Sequence, residues 1–271
     1  MATSLMARNA HVLQSNNPLS NEQIMRVAPS IFATEPHARM SERYTEIPTI
    51  NVLDALRIEG FMPFMVAQTK VRDAGRREFT KHMLRLRRAE DVTAREANEV
   101  ILINSHDGSS SYQMTAGVLR FVCMNGLVCG DNILGIKVRH SGDVVDQVVE
   151  GAYTIAGEFR RIDEDKERMR SIVLSNGQQK IFANAALQVK FGDVSPITPE
   201  QILVPRRFED QKNDLWSTFN RVQENLTKGG IRGHAATGRR ITTRGVTALN
   251  NDVRLNKALW TLADEMAKLA A

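Results

Sequence analysis

The chain reads as an α+β fold: an antiparallel β-sheet with a basic hairpin, backed by a long helix and followed by a helical C-terminal half. Three observations predict it. Apolar and polar residues alternate with period two over residues 64–72 and 79–87, the pattern of strands with one buried face. From residue 143 onward the apolar spacing changes to three and four, the pattern of amphipathic helices. Strands first and helices after is the order of an α+β domain. At 271 residues, 42% hydrophobic and 25% charged, the chain is long enough to bury a full core.

The elements follow in order. Residues 1–43 are polar and weakly patterned, which predicts a flexible arm with one short helix near 21–28. Pro29, Pro36 and Pro48 interrupt what comes next. Thr49 is a suitable N-cap for a short helix with Val52, Leu53 and Leu56 on one face, ended by Gly60. In the first arm of the hairpin, Ala67, Thr69 and Val71 oppose Gln68, Lys70 and Arg72; residues 73–78 form the turn. In the second arm, Lys81, Met83, Arg85 and Arg87 oppose His82, Leu84 and Leu86. Residues 99–104 read as a buried strand, Asp107-Gly108 as a turn, and 112–122 as a returning strand. Asn125-Gly126 marks another tight turn, and 133–138 a further strand.

The helical half starts with one long helix predicted over 143–170, capped by Asp143, with Val145, Val148, Val149, Ala152, Ile155, Ala156, Phe159 and Ile162 as its apolar stripe. A second helix covers 176–189, and Thr198-Pro199-Glu200-Gln201 has a helix-start signature. Leu215, Trp216, Phe219, Val222 and Leu226 give the apolar side of a helix over 214–228, stopped by Gly229-Gly230. Residues 228–244 hold five Lys/Arg, four glycines and no acid, which predicts a flexible basic loop. A closing helix spans 252–269. The expected organisation is an arm at 1–43, an α+β core at 44–192 and a helical region at 193–271.

Charge points to a partner. Between Phe61 and Arg88 there are eight Lys/Arg against Asp73 and Glu78, a local surplus of +6 where the whole chain carries +5. Basic charge gathered on one sheet face suits a polyanion. Lys70, Arg72, Lys81, Arg85 and Arg87 are the expected phosphate contacts, with Arg120, Lys137, Arg139 and the loop residues Arg239, Arg240 and Arg244 in support. Tyr112 is a candidate for stacking on a base.

Other chemistries find less footing. No phosphate-binding loop, dinucleotide-binding glycine pattern, zinc-finger spacing or nucleophile elbow is present. Gly233 to Gly238 lacks the preceding strand and following Lys-Ser/Thr of a phosphate loop. The acids at 163–167 read as a solvated helical face, and no cofactor or metal is expected. His82, His106 and His140 lie within the sheet half, and a metal-dependent nuclease would use His82, His106 or the acids around Asp107 and Asp131. Cys123 and Cys129 lack a metal-site partner pattern and read as reduced, buried thiols, with a local disulfide as the alternative. With no apolar run of signal-peptide or membrane-span length, the expected location is the cytoplasm.

Several segments carry a resemblance. Arg43-Tyr44-Thr45-Glu46-Ile47-Pro48-Thr49, Gly60-Phe61, Phe79-Thr80-Lys81-His82, the run Gly117 to Leu127, Asn225-Leu226 before Gly229-Gly230, and Asn256-Lys257-Ala258-Leu259-Trp260 together resemble the YfjQ/YafZ-like phage/plasmid protein family. The Cys-x-Asn-Gly-Leu segment is the most specific of these, and the family offers no catalytic motif to transfer. The order of basic hairpin, further strands and long helix is also similar to the core of RecT/Red-beta single-strand annealing proteins. That likeness implies a ring- or filament-forming homo-oligomer that pairs single-stranded DNA into duplex without ATP. The expected function is therefore a non-enzymatic, single-stranded-DNA-binding and annealing protein of a phage or plasmid. An interaction or inhibitor protein directed at a host nuclease or restriction system is the alternative, and a metal-dependent nuclease the second.

Overall fold

A computed structural model describes residues 10–34, 48–71, 74–93, 95–107, 110–122, 125–129, 135–139 and 143–270. In chain order the strands are β1 (Ala10–Gln14), β2 (Met62–Thr69), β3 (His82–Arg87), β4 (Glu96–Asn104), β5 (Tyr112–Arg120), β6 (Asn125–Val128), β7 (Ile136–Val138), β8 (Gly229–His234) and β9 (Arg240–Arg244). The helices are α1 (Asn21–Val27), α2 (Thr49–Ile58), α3 (Val144–Gly157), α4 (Phe159–Ser171), α5 (Asn176–Phe191), α6 (Pro199–Ile202), α7 (Leu215–Lys228) and α8 (Leu249–Leu269). The architecture is α+β, as expected. The chain divides into two compact units, residues 1–119 with 132–159 and residues 120–131 with 160–271.

The first unit is built on an antiparallel sheet ordered β1-β2-β3-β4-β5, with β7 paired to β5. Helices α2 and α3 pack on each other, and α3 lies against β4 and β7. Val52, Leu53 and Leu56 of α2 are fully buried, as their spacing demands, together with Phe61, Val66, Leu84, Val100, Val118 and Val148. Residues 10–34 correct the expectation of a flexible arm. β1 pairs with β2 from Ala10↔Thr69 to Gln14↔Met65, and Leu19, Ile24, Ala28 and Ile31 are buried. Ser20 caps α1 through a reciprocal box with Gln23. The rest of that arm, 1–9 and 35–43, lies outside the described residues.

Thr49 does not cap α2; Pro48 holds that place and makes no side-chain bond. The hydroxyl of Thr49 instead turns inward, to the centre of a buried polar cluster. Ser30 donates its one hydroxyl proton to Gln68 Oε1 (2.7 Å), so the ring of His82 donates from Nδ1 to Ser30 Oγ (2.8 Å). The carbonyl of Thr80, 3.3 Å from the same nitrogen, requires the same assignment. Thr49 Oγ1 lies within hydrogen-bond distance of His82 Nε2 (3.0 Å) and His106 Nε2 (3.2 Å), and it accepts from Asn104 Nδ2 (3.1 Å). Tyr112 closes the group 3.3 Å from Thr49. The alternation that put His82 among apolar residues was right about the face. What it hid is that this face meets a polar interior in which most groups are paired, His106 Nδ1 being a buried atom without a hydrogen-bond partner among the described residues.

The long helix predicted over 143–170 is two helices. Asp143 caps α3 through Asp146 N–H. After Gly157, Glu158 takes φ −84°, ψ −8°, and its N–H reaches back to Ile155 and Ala156; α4 begins at the next residue. Glycine's poor helix propensity permits the break, and the division between the two units falls beside it.

The second unit is helical around α7, whose residues from Leu215 to Thr227 are all buried. Helices α5, α6 and α8 surround it, and β6 lies against α8. Trp216, Phe219 and Trp260 form its aromatic core, with Trp216 and Phe219 stacked at 5.5 Å between centroids. The apolar stripe read from sequence is one side only. The other side is polar and largely paired: Arg221 donates to Gln179 and Thr218, Gln223 to Asn256, and Asn225 to the carbonyls of Ile202 and Val204, while Arg221 Nε and Glu224 Oε2 are buried without a hydrogen-bond partner among the described residues. Asn125-Gly126, read as a turn, opens β6; the chain turns before it, at Phe121 and Val122.

Candidate nucleic-acid interface

The eleven cationic residues singled out by sequence fall into separate groups. Arg85 and Arg87 are buried, each 3% exposed. Arg85 donates to Glu99 Oε2 (2.8 Å) and Arg87 to Glu99 Oε1 (2.7 Å), and the Arg87 guanidinium lies 4.4 Å from the centre of the Phe64 ring. These two arginines are part of the interior, which corrects their reading as phosphate contacts. The physical reason is Glu99 on the adjacent strand, an acid that counting within the hairpin leaves out. Arg120 receives the same correction: it grips Asp210 with both terminal nitrogens (3.2 and 2.8 Å) and is buried. Tyr112 is fully buried and cannot stack on a base.

Lys70 is exposed at the end of β2, and Lys81 is half-buried beside it. Exposed Arg77 stands in the turn, and burial, then Lys70, then Arg77 hold the His11 imidazole below its ordinary pKa. Neighbouring Arg76 faces Asp107 at 3.7 Å. Arg72 lies outside the described residues. Lys137 and Arg139 are exposed along β7. Sheet order puts β3, β4 and β5 between β2 and β7, roughly 19 Å at the usual strand spacing. Among the described residues, the cations of the first unit are thus divided between strands that β3, β4 and β5 separate in the sheet order.

The second unit brings Arg239, Arg240 and Arg244 together and adds Arg232. Residues 228–244, expected as a flexible loop, form a two-stranded antiparallel ribbon, β8 with β9. Arg232 pairs with Thr242 and His234 with Arg240, so Arg232, His234, Arg240 and Thr242 share the outward face, and all are exposed. Arg244 continues the row, and Arg239 stands in the connecting turn. Among the described residues none of these four arginines makes an ion pair.

The ribbon is held by its inner face. A side chain at Gly233 would put its Cβ 2.0 Å from the Pro196 carbonyl oxygen, so only glycine lets the strand lie that close. His234 N–H donates to the same carbonyl (2.9 Å), and Gln201 donates to the Arg232 carbonyl (2.9 Å). At the root, Gly229 takes φ +63° and lies against the backbone of Arg244 and Gly245. The Gly229 carbonyl accepts from Arg206. Lys190 donates to the carbonyls of Leu226 and Arg244, joining the end of α7 to the end of β9; burial pushes its ammonium down to about 8. Beneath this root, burial works to raise the Glu224 carboxyl, but Arg207 (3.0 Å) and Lys228 outweigh it and hold the group below its ordinary pKa. The glycines that suggested flexibility are thus the means of close packing and reversal.

Other chemistry gains no support from the geometry. His82 and His106 sit in the buried cluster around Thr49, and Asp107 faces Arg76. His140, Asp131 and Cys123 lie outside the described residues, while Cys129 is buried. Among the described residues no three His, Cys, Asp or Glu side chains are grouped to hold a metal ion. Among them, too, no helix is long and apolar enough to cross a membrane.

Comparison with known proteins places this fold in a lineage. Residues 36–260 match the family described as Domain of unknown function (DUF932). The chain is similar to the UPF0380 protein YafZ of Escherichia coli (strain K12), 52% identical over 258 residues that cover 95% of this chain and 94% of that one. It is similar to the UPF0380 protein YfjQ of the same organism at 51% over the same shares. No solved structure matches the chain. With the family model spanning most of the sequence and relatives at this identity covering nearly all of it, the chain belongs to the DUF932 family, the YafZ- and YfjQ-like proteins of phages and plasmids.

Proposed function

We infer that this protein binds single-stranded DNA through its phosphate backbone and, as an oligomer, promotes the pairing of complementary strands. The observation that carries the reading is the exposed arginine row on the β8–β9 ribbon, Arg232, Arg240 and Arg244 with Arg239 at the turn. Guanidinium groups without competing carboxylates release counterions when they meet phosphates, which gives salt-sensitive binding that is largely indifferent to sequence. A ribbon packed by its inner face and offering its outer face presents those groups at fixed spacing.

The test mixes the purified protein with two complementary labelled strands, with and without magnesium, and follows both duplex formation and strand length. Accelerated pairing with strands of unchanged length supports the reading. Strand shortening that a chelator abolishes would replace it with a nuclease. Absence of both, with a stoichiometric complex formed on a host nuclease or restriction protein, would replace it with an interaction protein.

A further inference from the structure

Phe208 is 81% exposed, in a segment where the chain has no freedom to hide it. The backbone before it is fixed by Asn225 Nδ2, which donates to the carbonyls of Ile202 (2.8 Å) and Val204 (2.9 Å). Arg206 donates to Asn225 Oδ1 (2.7 Å), and Arg207 donates to Glu224 Oε1 (3.0 Å). After it, the buried Asp210 carboxylate is gripped by Arg120. Phe208 opens a single 3-10 turn between these anchors, its carbonyl accepting from Gln211 N–H (3.3 Å). A single exposed apolar side chain is ordinary on a protein surface. A large aromatic ring held outward by anchored neighbours is a different situation, because the structure around it prevents collapse onto the core.

Its position relates it to the ribbon. Arg206, two residues earlier, bonds the carbonyl of Gly229, the first residue of β8. Two residues of chain span at most about 7 Å, and the Arg206 side chain bridges the rest, so the ring lies in the same part of the second unit as the root of the arginine row. A second copy of this chain would bring its own arginine row to this one. An unpaired base brings an aromatic face for the ring and a phosphate for the arginines.

We propose that Phe208 is a stacking residue for an unpaired nucleobase, and that with the β8–β9 arginines it selects single-stranded over duplex nucleic acid. This rests on the single-strand reading above and specifies its ligand. Stacking needs a base whose face is open, which a duplex buries.

The experiment compares full-length wild-type protein, Phe208→Ala, Phe208→Trp and Arg240→Gln/Arg244→Gln on three probes. These are oligothymidylate, an abasic oligomer of the same length, and a duplex. Phe208→Ala is expected to weaken oligothymidylate binding roughly 5- to 150-fold, with abasic affinity and salt dependence unchanged. Phe208→Trp is expected to retain binding. The arginine variant is expected to lose affinity for oligothymidylate and abasic oligomer alike. Equal loss on both of those probes in Phe208→Ala would overturn the proposal by making the residue structural. Unchanged oligothymidylate affinity in Phe208→Ala, while the arginine variant loses it, would overturn stacking and leave the backbone reading standing. If that variant instead changes the sedimenting species without changing oligothymidylate affinity, the ring belongs to an interface between copies. If wild type binds none of the probes, the single-strand reading fails first and this proposal with it.

Discussion

Two antiparallel strand pairs in this chain are rich in arginine, and their surroundings are opposite. In β2–β3, Arg85 and Arg87 point into the first unit and divide the carboxylate of Glu99 between them, with Phe64 beside one guanidinium. In β8–β9, Arg232, Arg240 and Arg244 point outward from a stretch without a single acid. The number of arginines within each pair does not separate the two. What does is whether a third element supplies a carboxylate to the same face. β4 does so in the first unit, whereas the face opposite the ribbon's arginines is pressed against Pro196 and Ile197. A buried guanidinium with its carboxylate specifies interior packing, and an exposed one without a carboxylate is available to a polyanion.

The largest test of this contrast removes the hidden acid. Glu99→Ala leaves two buried guanidinium groups without their shared carboxylate and is expected to destabilise the protein by about 3–5 kcal/mol; urea denaturation would measure it. The variant that still folds should bind oligonucleotide as wild type does. Next comes Gly233→Val, which drives a side chain into the Pro196 carbonyl. It is expected to cost about 1–3 kcal/mol and to lower nucleic-acid affinity by displacing the arginine row. Arg240→Gln with Arg244→Gln should shift stability by less than about 0.5 kcal/mol each. The same pair should reduce the slope of log affinity against log salt by about 1.4 on a single strand.

The smallest effect concerns pH. The Glu224 carboxyl is held below its ordinary pKa by Arg207 and Lys228, against the opposing pull of burial. The unfolded chain therefore takes up this proton at a higher pH than the folded one. The stabilisation is complete above the ordinary carboxylate range and is lost as the pH falls through the lowered value. Glu224→Gln should accordingly narrow its melting-temperature deficit on acidification, as thermal melts at neutral and acid pH would show.

Much of the fold was legible in the sequence, because periodicity reports which face of an element is buried. Val52, Leu53 and Leu56 on α2, the strand at 99–104, and the apolar side of α7 follow from spacing alone. What periodicity does not carry is the chemistry opposite a residue. Thr49 suits a cap locally; its partners His82 on β3, Asn104 at the end of β4 and His106 just beyond it lie 33 to 57 residues away. Arg85 and Arg120 looked solvent-facing for the same reason, with Glu99 and Asp210 distant in sequence. The ribbon was misread in the other direction. Glycine permits disorder and close packing equally, and only the carbonyl of Pro196 shows which applies. Of the candidate contacts, the loop arginines Arg239, Arg240 and Arg244 reach the surface, and strand pairing adds Arg232 to them, a grouping that composition alone does not show. Phe208 gave no sequence signal, since its exposure comes from anchors on α7 and at Arg120.

The most direct measurement is the salt dependence of oligothymidylate binding by three proteins. One is wild type, one has Arg239, Arg240 and Arg244 each replaced by Glu, and one has the triad replaced as Arg85→Met, Arg87→Met and Glu99→Leu. Apolar replacement of a whole buried ion group is often tolerated, so the last protein isolates the charge of the first hairpin. The account predicts that the triad variant binds with wild-type affinity and slope, and that the ribbon variant loses both. A ribbon variant that binds normally beside a folded triad variant that does not would contradict it.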